Sequence, residues 1–137
     1  MNAKEYLSQV RILDKKIDIK QAEIDKLRSS LQYKGIRYDT VQTSGGNPIS
    51  MSSVVAKIVD YENSMYLEID SLIDLRRDIL NKLDKLTDES HLDLLYMRYI
   101  QYMKWEEIAL KLNCTYRWVL KLHSRALKEF EKILAIH

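Results

Sequence analysis

The chain has 137 residues, 22 Lys and Arg against 20 Asp and Glu, a formal net charge of +2, one Cys, one Pro and three Gly. All four backbone breakers, Gly35, Gly45, Gly46 and Pro48, fall in one short window, where average composition would scatter about sixteen along the chain. Sandwiches and barrels need turn residues about every 8 to 12 positions, and doubly wound folds need Gly-rich turns, so both are excluded and the expected class is all-α.

The first predicted helix occupies residues 1–33. Ala3, Tyr6, Val10, Leu13, Ile17, Lys20, Ile24, Leu27 and Leu31 follow alternating steps of three and four, a heptad seam with one polar member, Lys20. The positions between them carry charges of both signs. Residues 34–51, centred on Thr43, Ser44, Gly45, Gly46, Asn47 and Pro48, read as a flexible loop.

A second helix is expected over 52–86, capped by Ser52 or Ser53. Its seam is Val55, Ile58, Glu62, Met65, Ile69, Leu72, Arg76, Ile79, Leu83 and Leu86. The two seams must be covered, either by folding into an antiparallel coiled-coil hairpin or by pairing with copies in another chain. Pattern alone leaves both open, and a homo-oligomer, a dimer first, is expected through the heptad helices. Lys20, Glu62 and Arg76 have the character of register devices, and a hairpin is expected to bring Lys20 within about a turn of Glu62.

Thr87, Asp88, Glu89 and Ser90 break the stripe and supply helix caps, so a separate domain is placed at 87–137. Three helical segments follow. The first, 91–102, has Leu94, Leu95, Met97 and Tyr99 apolar. The second, 104–112, has Trp105, Ile108, Ala109 and Leu112, and the third starts at Thr115 with Val119, Leu122, Ala126, Leu127 and Phe130.

Between the last two segments, Asn113 tolerates the left-handed conformation and Thr115 is a strong N-cap. Ala109 is small enough for close helix approach, and Ile108, Leu112, Val119 and Leu122 close a core. The pattern is that of a helix-turn-helix. Positions 115–128 hold Arg117, Lys121, Arg125 and Lys128 and no acidic residue, and 91–137 carries eight basic against five acidic residues. Thr115, Tyr116, Arg117 and Lys121 lie on the turns that would enter a major groove, where Arg grips guanine bidentately. Arg125 and Lys128 are placed for backbone phosphates, and Ser124 is counted with them among the DNA-binding residues. Trp118 is expected to cover the helix pair more than to stack on bases, and Cys114 to fill a small buried space.

Enzymatic chemistry is not expected. Glu106 and Glu107 open a helix and pair with no second acid as a catalytic dyad, and no nucleophile elbow or Gly-rich phosphate loop occurs. His91, His123 and His137 lack metal-ligand spacing with each other or with Cys114, so no metal or other cofactor is expected. The apolar runs stop short of about 18 residues and no apolar leader opens the chain, so a cytoplasmic protein without a membrane partner is expected. The lone Cys114 agrees with a reducing compartment.

The residues Leu94 to Ile100, Trp105-Glu106-Glu107-Ile108-Ala109, Thr115 to Leu122 and Arg125-Ala126-Leu127 resemble region 4 of sigma-70-type factors, the module that reads the −35 promoter element. Nearly the whole chain resembles a family of small phage proteins of Gram-positive bacteria, catalogued as a domain of unknown function and similar in architecture to ArpU- and RinA-type late-gene regulators. The matching stretches are 3–14, 56–60 and 69–76. The resemblance implies a phage-encoded transcriptional regulator working in the host cytoplasm, binding double-stranded DNA through Thr115, Tyr116, Arg117, Trp118 and Lys121, with RNA polymerase or a sigma factor as a further partner. Tyr116 and Leu120 stand where the sigma motif has Arg, and Arg117 where it often has Glu, so a −35 target is not implied. The rival expectations are a small-terminase-like packaging protein that recognises a phage DNA end, and an interaction module that docks on polymerase or a sigma factor without DNA.

Overall fold

The computed structural model describes the backbone of residues 1–33 and 48–136 and the side chains of 1–30 and 53–136; the expected loop lies, from 34 to 47, outside the described residues. The protein is all-helical, with no strand among the described residues. In chain order the helices are α1 (Ala3–Tyr33), α2 (Pro48–Leu83), α3 (Glu89–Leu95) continued by a π-helical turn (Tyr96–Ile100), α4 (Trp105–Lys111) and α5 (Tyr116–Ile136). The chain forms two compact units, one from Met1–Lys15 with Asp74–His137 and one from Lys16–Ile73.

The first turn of α1 is fixed by a capping box. The Glu5 backbone N–H donates to Asn2 Oδ1 at 2.8 Å, and the Asn2 N–H returns to Glu5 Oε2 at 3.4 Å. Helix α2 begins at Pro48, ahead of the expected Ser52 or Ser53. Pro suits a first helical position because its missing N–H has no partner there to lose and its φ is already helical. At the other end α2 stops at Leu83 and tightens into three-residue hydrogen bonds, Lys85 N–H to Lys82 O and Leu86 N–H to Leu83 O, before the Asp88 side chain caps α3.

In the unit formed by Lys16–Ile73, Ile24, Met65 and Ile69 are buried together, with Ile17 and Tyr66 packed on them. Leu27, Ile58 and Leu72 are half-buried there. The two chain segments run antiparallel, since Lys20 meets Glu68 at 2.5 Å while Arg28, further along α1, meets Glu62, earlier on α2, at 3.2 Å. The expected Lys20–Glu62 proximity is therefore corrected. The partner of Lys20 lies six positions further along α2, about 9 Å at 1.5 Å per residue, because the apolar contacts of Ile24 with Met65 and Ile69 set the register. Glu62 is buried and takes Arg28, which also donates to the Tyr66 hydroxyl at 2.9 Å.

In the other unit the seam residues Ala3, Val10, Leu13, Ile79, Leu83 and Leu86 are buried, as is Leu7 beside them, and they share a core with Leu94, Leu95, Ile108, Val119, Leu122, Ala126 and Phe130. Tyr6 lies 5.9 Å from Phe130 between ring centroids, and Lys82 donates to the Tyr6 hydroxyl at 2.9 Å. The hydrogen bond to Tyr6 raises the Lys82 pKa above its ordinary value. Arg76 meets Asp14 at 2.6 Å. The expected boundary residues sit inside this unit, Thr87 and Asp88 between α2 and α3 and Glu89 and Ser90 in the first turn of α3.

Arg28→Ala and Glu62→Ala are expected to couple by about 1 kcal/mol in a double-mutant cycle, less than a wholly buried pair because the Arg28 side chain is 51% exposed. Lys20→Ala and Glu62→Ala should add within about 0.5 kcal/mol, as sites that do not touch. Urea unfolding of the three single and two double variants measures both.

Candidate nucleic-acid interface

Helix α4 ends in a left-handed turn built by three consecutive residues. Asn113 has φ 55°, its N–H donates to Leu110 O at 3.2 Å, and the Cys114 N–H reaches back to Ala109 O at 3.0 Å. This paired closure is the Schellman arrangement, which satisfies carbonyls that a helix end leaves open. Thr115 then caps α5, its Oγ1 accepting from the Trp118 N–H at 3.1 Å, while its carbonyl accepts from Val119 N–H at 3.0 Å. Ala109, Ile108, Val119 and Leu122 are buried at the junction and Leu112 is half-buried. Cys114 is half-buried where a filled core position was expected, because its main part in the turn is played by its backbone N–H.

The inner stripe of α5 is Val119, Leu122, Ala126 and Phe130, spaced by three and four, and all four are buried. The rotation of about 100° per residue then dictates what faces water. Thr115, Tyr116, Arg117, Trp118, Lys121, Ser124, Arg125 and Lys128 are all exposed. Among the described residues, Arg117, Lys121 and Lys128 enter no ion pair with a carboxylate. Trp118 departs from its expected packing role. The residue is 42% exposed, lying off the Val119 stripe, and the Arg125 guanidinium two turns on lies 5.1 Å from its ring centroid.

The floor of this face is held by contacts that pattern reading did not find. His91 Nδ1 lies 3.0 Å from Glu129 Oε1, and Thr87 Oγ1 donates to Glu129 Oε2 at 3.1 Å, which ties the start of α3 to α5. Those hydrogen bonds hold the Glu129 carboxyl below the usual range, against a burial effect that pushes it up. His123 stacks on Tyr99 at 5.8 Å between centroids and meets Trp105 edge-on at 4.6 Å, and its Nε2 lies 2.8 Å from the Tyr99 hydroxyl. Burial, with help from the charges of Lys4 and Arg98, depresses His123 to about 4, so it is neutral at pH 7. Burial also raises Tyr99.

The π-helical turn Tyr96–Ile100 is a second feature that seam counting missed. Leu94, Leu95, Met97, Tyr99 and Ile100 are all buried, a density that a 3.6-residue period cannot place on one face and that a wider turn accommodates. Two residues beyond its end stands Tyr102, whose φ of 58° is unusual for a bulky residue. The Tyr102 hydroxyl donates to Asp14 and its ring lies 5.6 Å from the Arg11 guanidinium. Burial and the neighbouring carboxylate push this phenol up to about 12. Among the described residues, no group of three or more His, Cys, Asp or Glu could hold a metal ion and no helix is long and apolar enough to cross a membrane.

Comparison with protein-family models, curated proteins and solved structures finds no match to this chain.

Two predictions test the local physics. Asn113→Gly should leave stability unchanged or raise it slightly, whereas Asn113→Ala should lower it by about 1 kcal/mol in chemical unfolding, since only the second loses a residue that tolerates the left-handed turn. For His123, the folded value of about 4 lies below the 6.5 of the free side chain. The unfolded chain therefore holds more protons between those values, and stability is present above pH 6.5 and falls as pH drops towards 4. The loss should be on the order of 2 kcal/mol for a half-buried ring. Thermal melts across that window should show the fall, and His123→Gln should flatten it.

Proposed function

We propose that the protein binds double-stranded DNA through α5, using α4, the Asn113–Thr115 turn and α5 as a helix-turn-helix of the sigma region 4 kind, and that it regulates phage transcription. The observation that carries the reading is the single-sign outer face of α5. Arg117, Lys121, Arg125 and Lys128 are exposed together, and no acidic residue lies between Thr115 and Lys128. Unpaired cations on one helix face are the electrostatic footprint of a polyanion. Thr115, Tyr116, Arg117, Trp118 and Lys121 stand on the first turns, which enter the groove and meet base edges, while Ser124, Arg125 and Lys128 take phosphates.

The sequence resemblance to sigma region 4 and to small phage regulators supports the same helix. A single module of this kind buries only about 600 to 1,000 Å² of protein surface, so tight specific binding calls for a second half-site or a protein partner. The heptad seam offered for pairing between copies is, where described, buried or half-buried within the units of one chain, which favours another surface for the meeting of two copies.

A second reading has its own observation. Leu110 is 83% exposed, and Tyr116, Trp118 and Leu120 are exposed near it in sequence. Such apolar groups suit docking on a protein such as RNA polymerase or a sigma factor. Packaging would use the same DNA chemistry and differ in where the site lies.

Selection of bound sequences from random duplex DNA is expected to return a preferred site, with any half-sites a whole number of helical turns apart. Arg117→Ala with Lys121→Ala should weaken duplex binding at least tenfold at 0.1 M salt and reduce the slope of log K against log salt by about two if both side chains meet phosphate. Binding that the double substitution leaves unchanged would remove α5 as the reader. Retention of polymerase or sigma binding by a protein that takes no duplex would favour the docking reading.

A further inference from the structure

The unit formed by Met1–Lys15 and Asp74–His137 contains a cleft of about 230 Å³ whose lining includes Lys4 and Arg11 from α1 and Arg98 from the π-helical turn. No carboxylate lines it. Lys4, Ser8 and Arg11 stand at i, i+4 and i+7, so one face of α1 presents both cations to the same space. Neither pairs with a carboxylate among the described residues. Opposite them, Arg98 is already oriented. Its Nη1 donates to Met103 O at 3.0 Å and its guanidinium lies 4.2 Å from the centre of the Trp105 ring, which leaves further N–H groups without changing the side chain's position.

The walls between the cations include Tyr99, Tyr102 and Trp105, and both tyrosine hydroxyls are engaged. The Tyr99 hydroxyl is hydrogen-bonded with His123 Nε2, and the Tyr102 hydroxyl donates to Asp14, whose charge is balanced by Arg76 at 2.6 Å. The depressed pKa of His123, behind the cleft, partly reflects the field of Lys4 and Arg98. Three uncompensated cations around one small space favour an anion with several acceptor oxygens. Arg forks match two oxygens at once and Lys supplies a compact charge, the combination that suits phosphate. The volume admits a phosphate and its ester carbon and falls below the roughly 300 Å³ at which pockets for larger ligands begin.

We propose that this cleft is a phosphate-binding site, with Lys4, Arg11 and Arg98 as its grip and Trp105 as a wall. The phosphate has two sources, a free phosphate or phosphate monoester and the backbone of a DNA duplex. The site stands independently of the reading of α5, because a free anion suffices to occupy it.

The test is an NMR titration of the full chain that follows the Trp105 indole N–H, assigned by its loss in Trp105→Phe, with inorganic phosphate added at constant ionic strength against chloride. A saturable shift is expected, lost in Lys4→Met with Arg11→Met, whose side chains are exposed and whose removal should leave the thermal midpoint within a few degrees. A parallel measurement follows duplex binding against salt. A slope reduced by about one to two in the double variant assigns the site to backbone phosphate. An unchanged slope, or no duplex binding at all, together with the lost phosphate response assigns it to a free anion. The proposal is overturned if the double variant responds to phosphate as the wild type does, or if the wild type shows no saturable shift and the salt slope is unchanged.

Discussion

The structure depends on one constraint of burial. The segment that carries α3, α4 and α5 cannot enclose its own apolar stripe, and it is completed by the first turns of α1 and the last turns of α2. Leu7, Val10, Ile79 and Leu83 from the two long helices are as deeply buried as Leu94, Ile108, Val119 and Phe130. A small helical unit gains stability steeply with the share of its surface it can bury, so borrowing two helix ends is worth more here than a free linker would be. The Tyr6–Phe130 contact and the Lys82–Tyr6 hydrogen bond mark where the borrowed ends meet α5 and each other. With its inner stripe held in this way, α5 has only one rotation open to it, and its basic face follows from that.

The turn before α5 adds a second fixed point. Helices end where backbone groups can be satisfied without the next turn, and Asn113, Cys114 and Thr115 achieve this with two reverse hydrogen bonds and one cap in three residues. A helix start defined to the residue matters for any reader of a groove, because a shift of one position rotates every side chain by about 100°. On the proposed reading, the precision of the turn is what lets Arg117 and Lys121 be aimed at all.

Much of this was legible in the sequence. The heptad steps marked the faces of α1 and α2 that become buried or half-buried, since a three-and-four repeat has no other physical use on an amphipathic helix. Asn113 and Thr115 carried their turn in their own side-chain chemistry. Other features were not legible because they depend on tertiary context. The register that places Lys20 opposite Glu68 comes from where Ile24 packs, and several registers satisfy the same heptads. The π-helical turn was hidden because its buried residues look like an ordinary apolar cluster until their spacing is compared with the helical period. The left-handed Tyr102 gave no signal, since a tyrosine there is held by Asp14 and Arg11 from far along the chain. Trp118 misled by type, because large aromatic rings are usually buried and this one is roofed by Arg125 instead.

The near-neutral total charge is also explained by position. Three acidic groups in this unit are used in contacts within it. Asp14 holds Arg76 and Tyr102, Asp88 caps α3, and Glu129 binds His91 and Thr87. Each such contact removes negative charge from the surface where it could balance a cation. The cations left over, Arg117, Lys121 and Lys128 on α5 and Lys4 and Arg11 on α1, therefore act on solvent with little opposition nearby. A balanced composition thus yields an unbalanced face on α5, because no acidic residue lies between Thr115 and Lys128 and the exposed acids stand elsewhere. Removing Asp14 would liberate Arg76 as well as the Tyr102 hydroxyl, so there fold and surface potential are set by the same side chain.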